Sequence, residues 1–207
     1  MAAVPYPVNL RLEGRAVLVV GGGPVAAGKV RGLVEAGAVV RVVAPEVAED
    51  ITAQPVEVER RPYRRGEVAG YRLVVAATGD PATNQAVFDD GEAAGVWVNA
   101  VDDPDRCSVT LPARVARGDL LVTVSTGGRS PALSAWLRAR FEDQLGPEYE
   151  VLLDVLAGAR SRLRDEGRTA SPADWRGALD SGMLDLIREG RQADARARLD
   201  AALGLPA

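Results

Sequence analysis

The chain has 207 residues, 47% of them apolar and 26% charged, with a formal net charge of -4, as expected of a globular protein with one large or two modest domains. No global basic field marks it for nucleic acid or an anionic membrane, and no apolar run approaches the roughly 20 residues of a membrane span. Histidine is absent and Cys107 stands alone, which removes histidine bases, catalytic triads, disulfide frameworks and the commonest transition-metal ligand, so no protein-held metal is expected.

The N-terminal stretch MAAVPYPVNL has neither the basic region nor the apolar core of a signal peptide. With the single thiol, this gives a cytoplasmic expectation. Arg15 to Val20 is a continuous apolar run, the pattern of a strand buried on both faces. Glycines 21 to 23 follow, then a helical pattern over 24–36 with Gly37 as its C-terminal stop. Val39 to Val43, Val56 to Glu59 and Arg72 to Ala77 read as three more strands. Asp80-Pro81 opens a helix to about Ala94, and Val96 to Asn99 is a fifth strand. Strands alternating with helices predict a parallel, doubly wound sheet.

After Asp102 the pattern changes. Ser108 to Leu111 and Leu120 to Val124 read as two strands with no full helix between them. Ser130-Pro131 then starts a helix carrying Leu133, Trp136, Leu137, Phe141 and Leu145, an apolar stripe that wants a partner. From Pro147 onward the chain reads as helical, with a new start at Ser171-Pro172 and one or two helices over 183–203. The expected architecture is α/β: a Rossmann-type parallel sheet over 1–112, a small α+β segment over 113–146 and a helical C-terminal domain over 147–207.

Gly21-x-Gly23-x-x-Ala26 lies between a buried strand and a helix N-terminus. Its first glycine permits the tight turn, its second lets backbone N–H groups approach a pyrophosphate, and the small third position lets helix and strand pack closely. A glycine-rich turn without a ligand is the alternative. The second strand runs on into Pro45 and Glu46, where Glu46 is the available ribose partner or a solvated helix-start residue. No arginine immediately follows that strand to hold a 2′-phosphate, which favours NAD over NADP. Thr78, at the carboxyl end of the fourth strand, faces the edge where ligands of open α/β sheets bind, and Asn84 is a supporting, capping or surface residue.

Asn99-Ala100-Val101-Asp102-Asp103-Pro104 reads either as turn chemistry or as a carboxylate beside the nicotinamide, where proton removal accompanies hydride transfer. Thr126, Gly127, Gly128, Arg129 and Ser130 form either a turn with a helix cap or an anion nest for carboxylates. Cys107 reads as a small strand-edge residue.

Taken in order, the segments 17–30, 42–46, 74–84, 99–113 and 124–138 resemble the precorrin-2 dehydrogenase/sirohydrochlorin ferrochelatase family, the stand-alone or N-terminal module of siroheme synthase. The likeness covers residues 5 to about 145; the remainder matches only in being helical. It implies NAD-dependent oxidation of precorrin-2 to sirohydrochlorin on the way to siroheme or cobalamin, and in some members metal insertion with Fe2+ or Co2+ as substrate. It also implies a homodimer built partly from the middle segment. The family's essential aspartate falls on Asp102, and its hydroxyl in the glycine turn on Thr126. Dinucleotide contacts fall on Gly23, Pro24 and Val25 and on Pro45 and Glu46. Gly28 stands where many members carry arginine, so any anion contact from that side chain is missing. Arg114, Arg129 and Arg138 read either as surface residues or as ligands of substrate carboxylates. A non-enzymatic NAD-sensing Rossmann domain is the competing reading, and a Rossmann reductase for another small substrate the third.

Overall fold

The computed structural model describes residues 5–206; residues 1–4, where the expected first domain begins, and residue 207, where the expected helical domain ends, lie outside the described residues. Contacts divide the chain into two compact units, residues 1–111 and 112–207.

In the first unit, β1 (Ala16–Val20), β2 (Val39–Val43), β3 (Glu57–Glu59), β4 (Leu73–Ala76) and β5 (Trp97–Ala100) form one sheet in the order β3-β2-β1-β4-β5. All its pairings are parallel. The apolar runs are continuous because both faces are covered. Val17 and Val19 pack with Ala26, Val30 and Leu33 of α1 (Pro24–Glu35) and with Ile51 of the short α2 (Glu49–Thr52). Leu18 and Val20 turn to the opposite face, toward Val87 of α3 (Pro81–Ala94), as the two-residue period of a strand requires. Strand order reverses between β1 and β4, so the topological switch point lies at their carboxyl ends.

The helix boundaries follow their sequence signals. At the end of α1, Gly37 has φ 75°, its N–H donates to Val34 O at 2.9 Å and Ala38 N–H to Leu33 O at 3.1 Å. That is the double hydrogen bond of a Schellman stop. The Asp80 carboxylate caps α3 by accepting from Ala82 N and Thr83 N.

One expected strand is absent. Residues 108–111 are a loop, preceded by Cys107, which makes an isolated bridge to Asn99 of β5. The Ser108 hydroxyl accepts from Val98 N at 2.8 Å, and both Ser108 N–H and Val109 N–H donate to Val98 O. A side chain thus occupies a ladder position, and the proline at 112 has no N–H to prolong pairing. The strand lies instead at β6 (Ala113–Arg117), which pairs antiparallel with β7 (Leu120–Val124) across a Gly118-Asp119 turn with Gly118 at φ 53°.

β6 and β7 open the second unit and contact α4 (Pro131–Gln144). Four further helices follow: α5 (Glu148–Asp165), α6 (Pro172–Leu179), α7 (Met183–Arg188) and α8 (Gln192–Leu203). Their core gathers Leu152, Val155, Ala159, Met183, Ile187 and Leu199. Ser171 and Asp174 form a capping box at the start of α6. The Asp200 carboxylate, buried in α8, is paired with Arg162 of α5. By contrast, α4 has no buried residue, with Leu133 45% and Trp136 55% exposed. Among the described residues no helix is long and apolar enough to cross a membrane.

Candidate functional site: a dinucleotide cradle and a strained aspartate

The carboxyl edge of the sheet carries most of the residues singled out from sequence. Gly21 follows β1, Pro45 and Glu46 follow β2, Thr78 follows β4 and Asp102 follows β5. At about 4.8 Å per strand, Asp102 lies roughly 10 Å along the edge from the β1 loop, on the side opposite Glu46. One edge thus presents an adenosine-side acid, a glycine cradle and a carboxylate at the far end.

The cradle is built by close approach. A Cβ on Gly21, whose φ is 124°, would meet Ala77 O at 2.3 Å, and one on Gly22 would meet Glu46 O at 2.0 Å. Gly22 O also accepts from Ala48 N at 2.9 Å, so this glycine docks the loop onto the turn that carries Glu46. Its role was missed in the fingerprint, where it fills a variable position; the run of three glycines was the only signal. Gly23 is different: a Cβ there would have nothing within 4 Å. Gly23 is the N-cap of α1, no side chain caps that helix, and Val25 in its first turn is 52% exposed. Open space, uncapped helix N–H groups and a positive dipole end are what a pyrophosphate requires. The residues present therefore fit a dinucleotide.

Thr78 reaches the right edge, but its hydroxyl is engaged within the chain. It donates to Asn84 Oδ1 at 2.7 Å, while Asn84 Nδ2 donates to Thr78 O at 3.2 Å. Asn84 is 7% exposed and so supports the loop rather than lying on the surface. Thr78 accordingly offers backbone and methyl, not hydroxyl, to a ligand.

Asp102 has φ 60° and is the one non-glycine residue with positive φ among the described residues. Asp103 N–H donates to Ala100 O at 3.3 Å, closing a β-turn whose third residue is Asp102. That position normally takes glycine or asparagine. Such strain persists where the surroundings enforce it, and it clusters at functional sites. The surroundings here are explicit. Arg106 Nε donates to Gln85 Oε1 of α3 at 2.6 Å, and the same guanidinium is paired with Asp103. Asn99 Nδ2 donates to Val109 O at 3.0 Å, and the Cys107 thiol donates to Ala100 O at 3.1 Å. Burial pushes the Cys107 thiol above its ordinary pKa, in keeping with a strand-edge residue rather than a nucleophile. The Arg106–Gln85 tie spans 21 positions, and no local pattern announces it.

The 126–130 turn belongs to the second unit. Gly127 and Gly128 have φ 60° and 76°. Thr126 Oγ1 accepts from Ser130 N at 3.1 Å and lies 3.2 Å from Ser134 Oγ. Ser130 Oγ accepts from Leu133 N at 3.2 Å and caps α4. Both hydroxyls thus serve the turn itself, while Arg129 is exposed and none of the described residues pairs with its side chain. Arg138 pairs with Glu142 at 2.9 Å. A hollow of about 320 Å³ between Val39, Arg41, Glu57 and Tyr71 lies at the opposite, amino edge; the Arg41–Glu57 ion pair lines it, and it has no share in the site.

A five-stranded parallel sheet with an open cradle at its switch point defines a Rossmann-type dinucleotide-binding domain. The family model described as "Putative NAD(P)-binding" matches residues 8–113, and that described as "Sirohaem biosynthesis protein central" matches 117–144. The chain belongs to this NAD(P)-binding family. It is 38% identical to a siroheme synthase of Azotobacter vinelandii over 95% of this chain and 44% of that protein. With a siroheme synthase of Nitrosococcus oceani it shares 36% over 95% of this chain and 43% of that protein. It thus spans less than half the length of these curated relatives. A solved structure named "SirC, precorrin-2 dehydrogenase" superposes with a TM-score of 0.71 at 26% identity, covering 95% of this chain and 100% of that one. The family resemblance read from the sequence is borne out.

Proposed function

We propose that the chain is an NAD-dependent dehydrogenase that oxidises precorrin-2 to sirohydrochlorin in siroheme or cobalamin biosynthesis. The observation that carries this reading is Asp102, an acid in a glycine-type backbone conformation at the carboxyl edge of a dinucleotide sheet. The full-length likeness to a precorrin-2 dehydrogenase supports it.

Gly21, Gly23, Pro24 and Val25 hold the pyrophosphate side of NAD, Pro45 and Glu46 its adenosine ribose, and the backbone at Thr78 its central part. When bound, NAD supplies the hydride acceptor. Removing two hydrogens from the macrocycle releases one hydride and one proton, and Asp102 takes the proton. The macrocycle is a polycarboxylate, so its recognition falls to donors: the Gly127 and Gly128 backbone, Arg129, and the Thr126–Ser130 turn that orients them. The same aspartate would accept pyrrole protons in an insertion of Fe2+ or Co2+, for which the macrocycle provides the nitrogens.

We read residues 113–146 as the segment through which two copies associate. Leu133 and Trp136 of α4 and Leu121 of β7 are exposed apolar side chains, and a second copy would bury them. The test of function is anaerobic incubation of the protein with precorrin-2 and NAD, following the sirohydrochlorin spectrum. Conversion is expected, and a folded, NAD-binding protein that leaves precorrin-2 unchanged would overturn the proposal.

A further inference from the structure

The ribose end of the cradle contains a residue that sequence order hides. Just beyond the last residues of β2 and β3, Ala44 N donates to Glu59 O at 3.2 Å and Ala44 O accepts from Arg61 N at 3.1 Å, while the same Arg61 N–H is shared with Glu59 O at 3.1 Å in a γ-turn centred on Arg60. This is the parallel pattern that pairs Ala44 with Arg60, one step beyond Val43 with Glu59. Side chains alternate along a strand, and Val56 and Val58 pack against the core beneath α1. The γ-turn at Arg60 ends that alternation at the carboxyl edge and leaves Arg60 beside Ala44, at the end of β2. The neighbouring arginine is committed: Arg61 pairs with Glu59 and Glu67, each at 2.6 Å. Arg60 is exposed, and its side chain has no partner among the described residues. The same holds for Glu46, whose backbone the loop fixes against Gly22.

An unspent carboxylate and an unspent guanidinium thus flank the carboxyl end of β2, where a dinucleotide-binding sheet distinguishes a ribose 2′-hydroxyl from a 2′-phosphate. We propose that Arg60 is a specificity-determining residue that works against Glu46. Glu46 accepts from the ribose hydroxyls of NAD and repels a 2′-phosphate, and Arg60 is stationed to hold that phosphate once the carboxylate is neutralised. The preference for NAD is then a property of Glu46 imposed on a latent NADP site. The absence of an arginine directly after β2 does not govern it, because the arginine arrives from the adjacent strand. This proposal rests on the dinucleotide site and is independent of the tetrapyrrole reading.

The test is a fluorescence titration of NADH and NADPH into wild type, Glu46→Gln, the double variant Glu46→Gln/Arg60→Gln, and Glu46→Gln/Arg64→Gln. The last removes a nearby arginine that is off the ladder pair. Circular dichroism reports the folding of each. We expect Glu46→Gln to bind NADPH about tenfold more tightly than wild type does, the change that one charge-assisted contact gives. Loss of Arg60 should remove most of that gain, leaving only the relief of repulsion by Glu46, and loss of Arg64 should leave it whole. Equal NADPH affinity with and without Arg60 would overturn its role, as would an equal loss with Arg64→Gln, which would mean general charge rather than a placed contact. Failure of wild type to bind either dinucleotide would overturn the cradle itself and this proposal with it.

Discussion

Replacing Asp102 by glycine should stabilise the first unit while destroying its chemistry. The left-handed conformation costs a non-glycine residue roughly 1–2 kcal/mol, with aspartate at the tolerant end at about 1. Glycine recovers that strain but returns about 0.5 kcal/mol through the greater entropy of the unfolded chain. No described residue pairs with the exposed Asp102 side chain, so nothing else of consequence is lost, and the net gain is about 0.5 kcal/mol. Alanine at the same φ of 60° keeps the strain without the local hydrogen bonding of an aspartate, and should lose about 0.5–1 kcal/mol. The two variants then differ by about 1–1.5 kcal/mol, or roughly 4–10 °C in the transition of a unit of about 100 residues. Calorimetry of the three proteins, with precorrin-2 oxidation measured alongside, reads both quantities. The order of stability should be glycine, aspartate, alanine, with neither variant active. A glycine variant less stable than wild type would refute the claim that strain is stored at Asp102.

The two glycines of the cradle should fail differently. Gly23→Ala has room for its methyl and should fold as wild type does, yet bind NADH at least about tenfold more weakly because the methyl fills the approach to the helix N–H groups. Gly22→Ala would drive its methyl onto Glu46 O, 2.0 Å away, and should lower the unfolding midpoint as well; equal behaviour of the two in binding and melting would contradict the geometry. At Cys107, a pKa raised chiefly by burial means that less thiolate is present in the folded protein at any given pH. Labelling by a disulfide reagent should therefore be slower in the native than in the unfolded protein at pH 8, and should climb only at more alkaline pH. For the proposed association of two copies, wild type should have the mass of a dimer in light scattering and Trp136→Asp, whose native side chain is 55% exposed, that of a monomer with its helices intact; a monomeric wild type, or an unchanged mass in the variant, would contradict a role for α4 in association.

The parallel sheet was legible because buried strands and capped helices write strong local patterns. The β2 boundaries agree residue for residue, and the Ser130-Pro131 and Ser171-Pro172 starts lie where their caps indicate. The hairpin strand β6 escaped because Ala113–Arg117 carries a single β-branched residue, Val115, which is also its single buried side chain, between alanines and arginines that do not announce a strand. Ser108 to Leu111 misled for the converse reason: its residues favour extended backbone, but the Ser108 hydroxyl takes the ladder position. In the site, the glycine fingerprint, Glu46 and Asp102 could be singled out from residue type and order. What could not be read were relations between distant segments: Arg106 tied to Gln85, Asn84 turned inward to Thr78, and Arg60 brought beside the end of β2 by strand pairing. Nor does any local pattern report backbone strain, so the positive φ that raises Asp102 above ordinary turn chemistry had to come from the fold.

The central claim is that Asp102 is the proton acceptor in an NAD-dependent oxidation, and Asp102→Asn tests it most directly. Asparagine tolerates the left-handed conformation, so the turn, the fold and NADH binding should survive while the base is removed. Under anaerobic conditions with precorrin-2 and NAD, wild type should form sirohydrochlorin and Asp102→Asn should do so about 100-fold or more slowly. An asparagine variant that turns over at the wild-type rate, or a wild type that binds NAD and leaves precorrin-2 unchanged, would contradict the account.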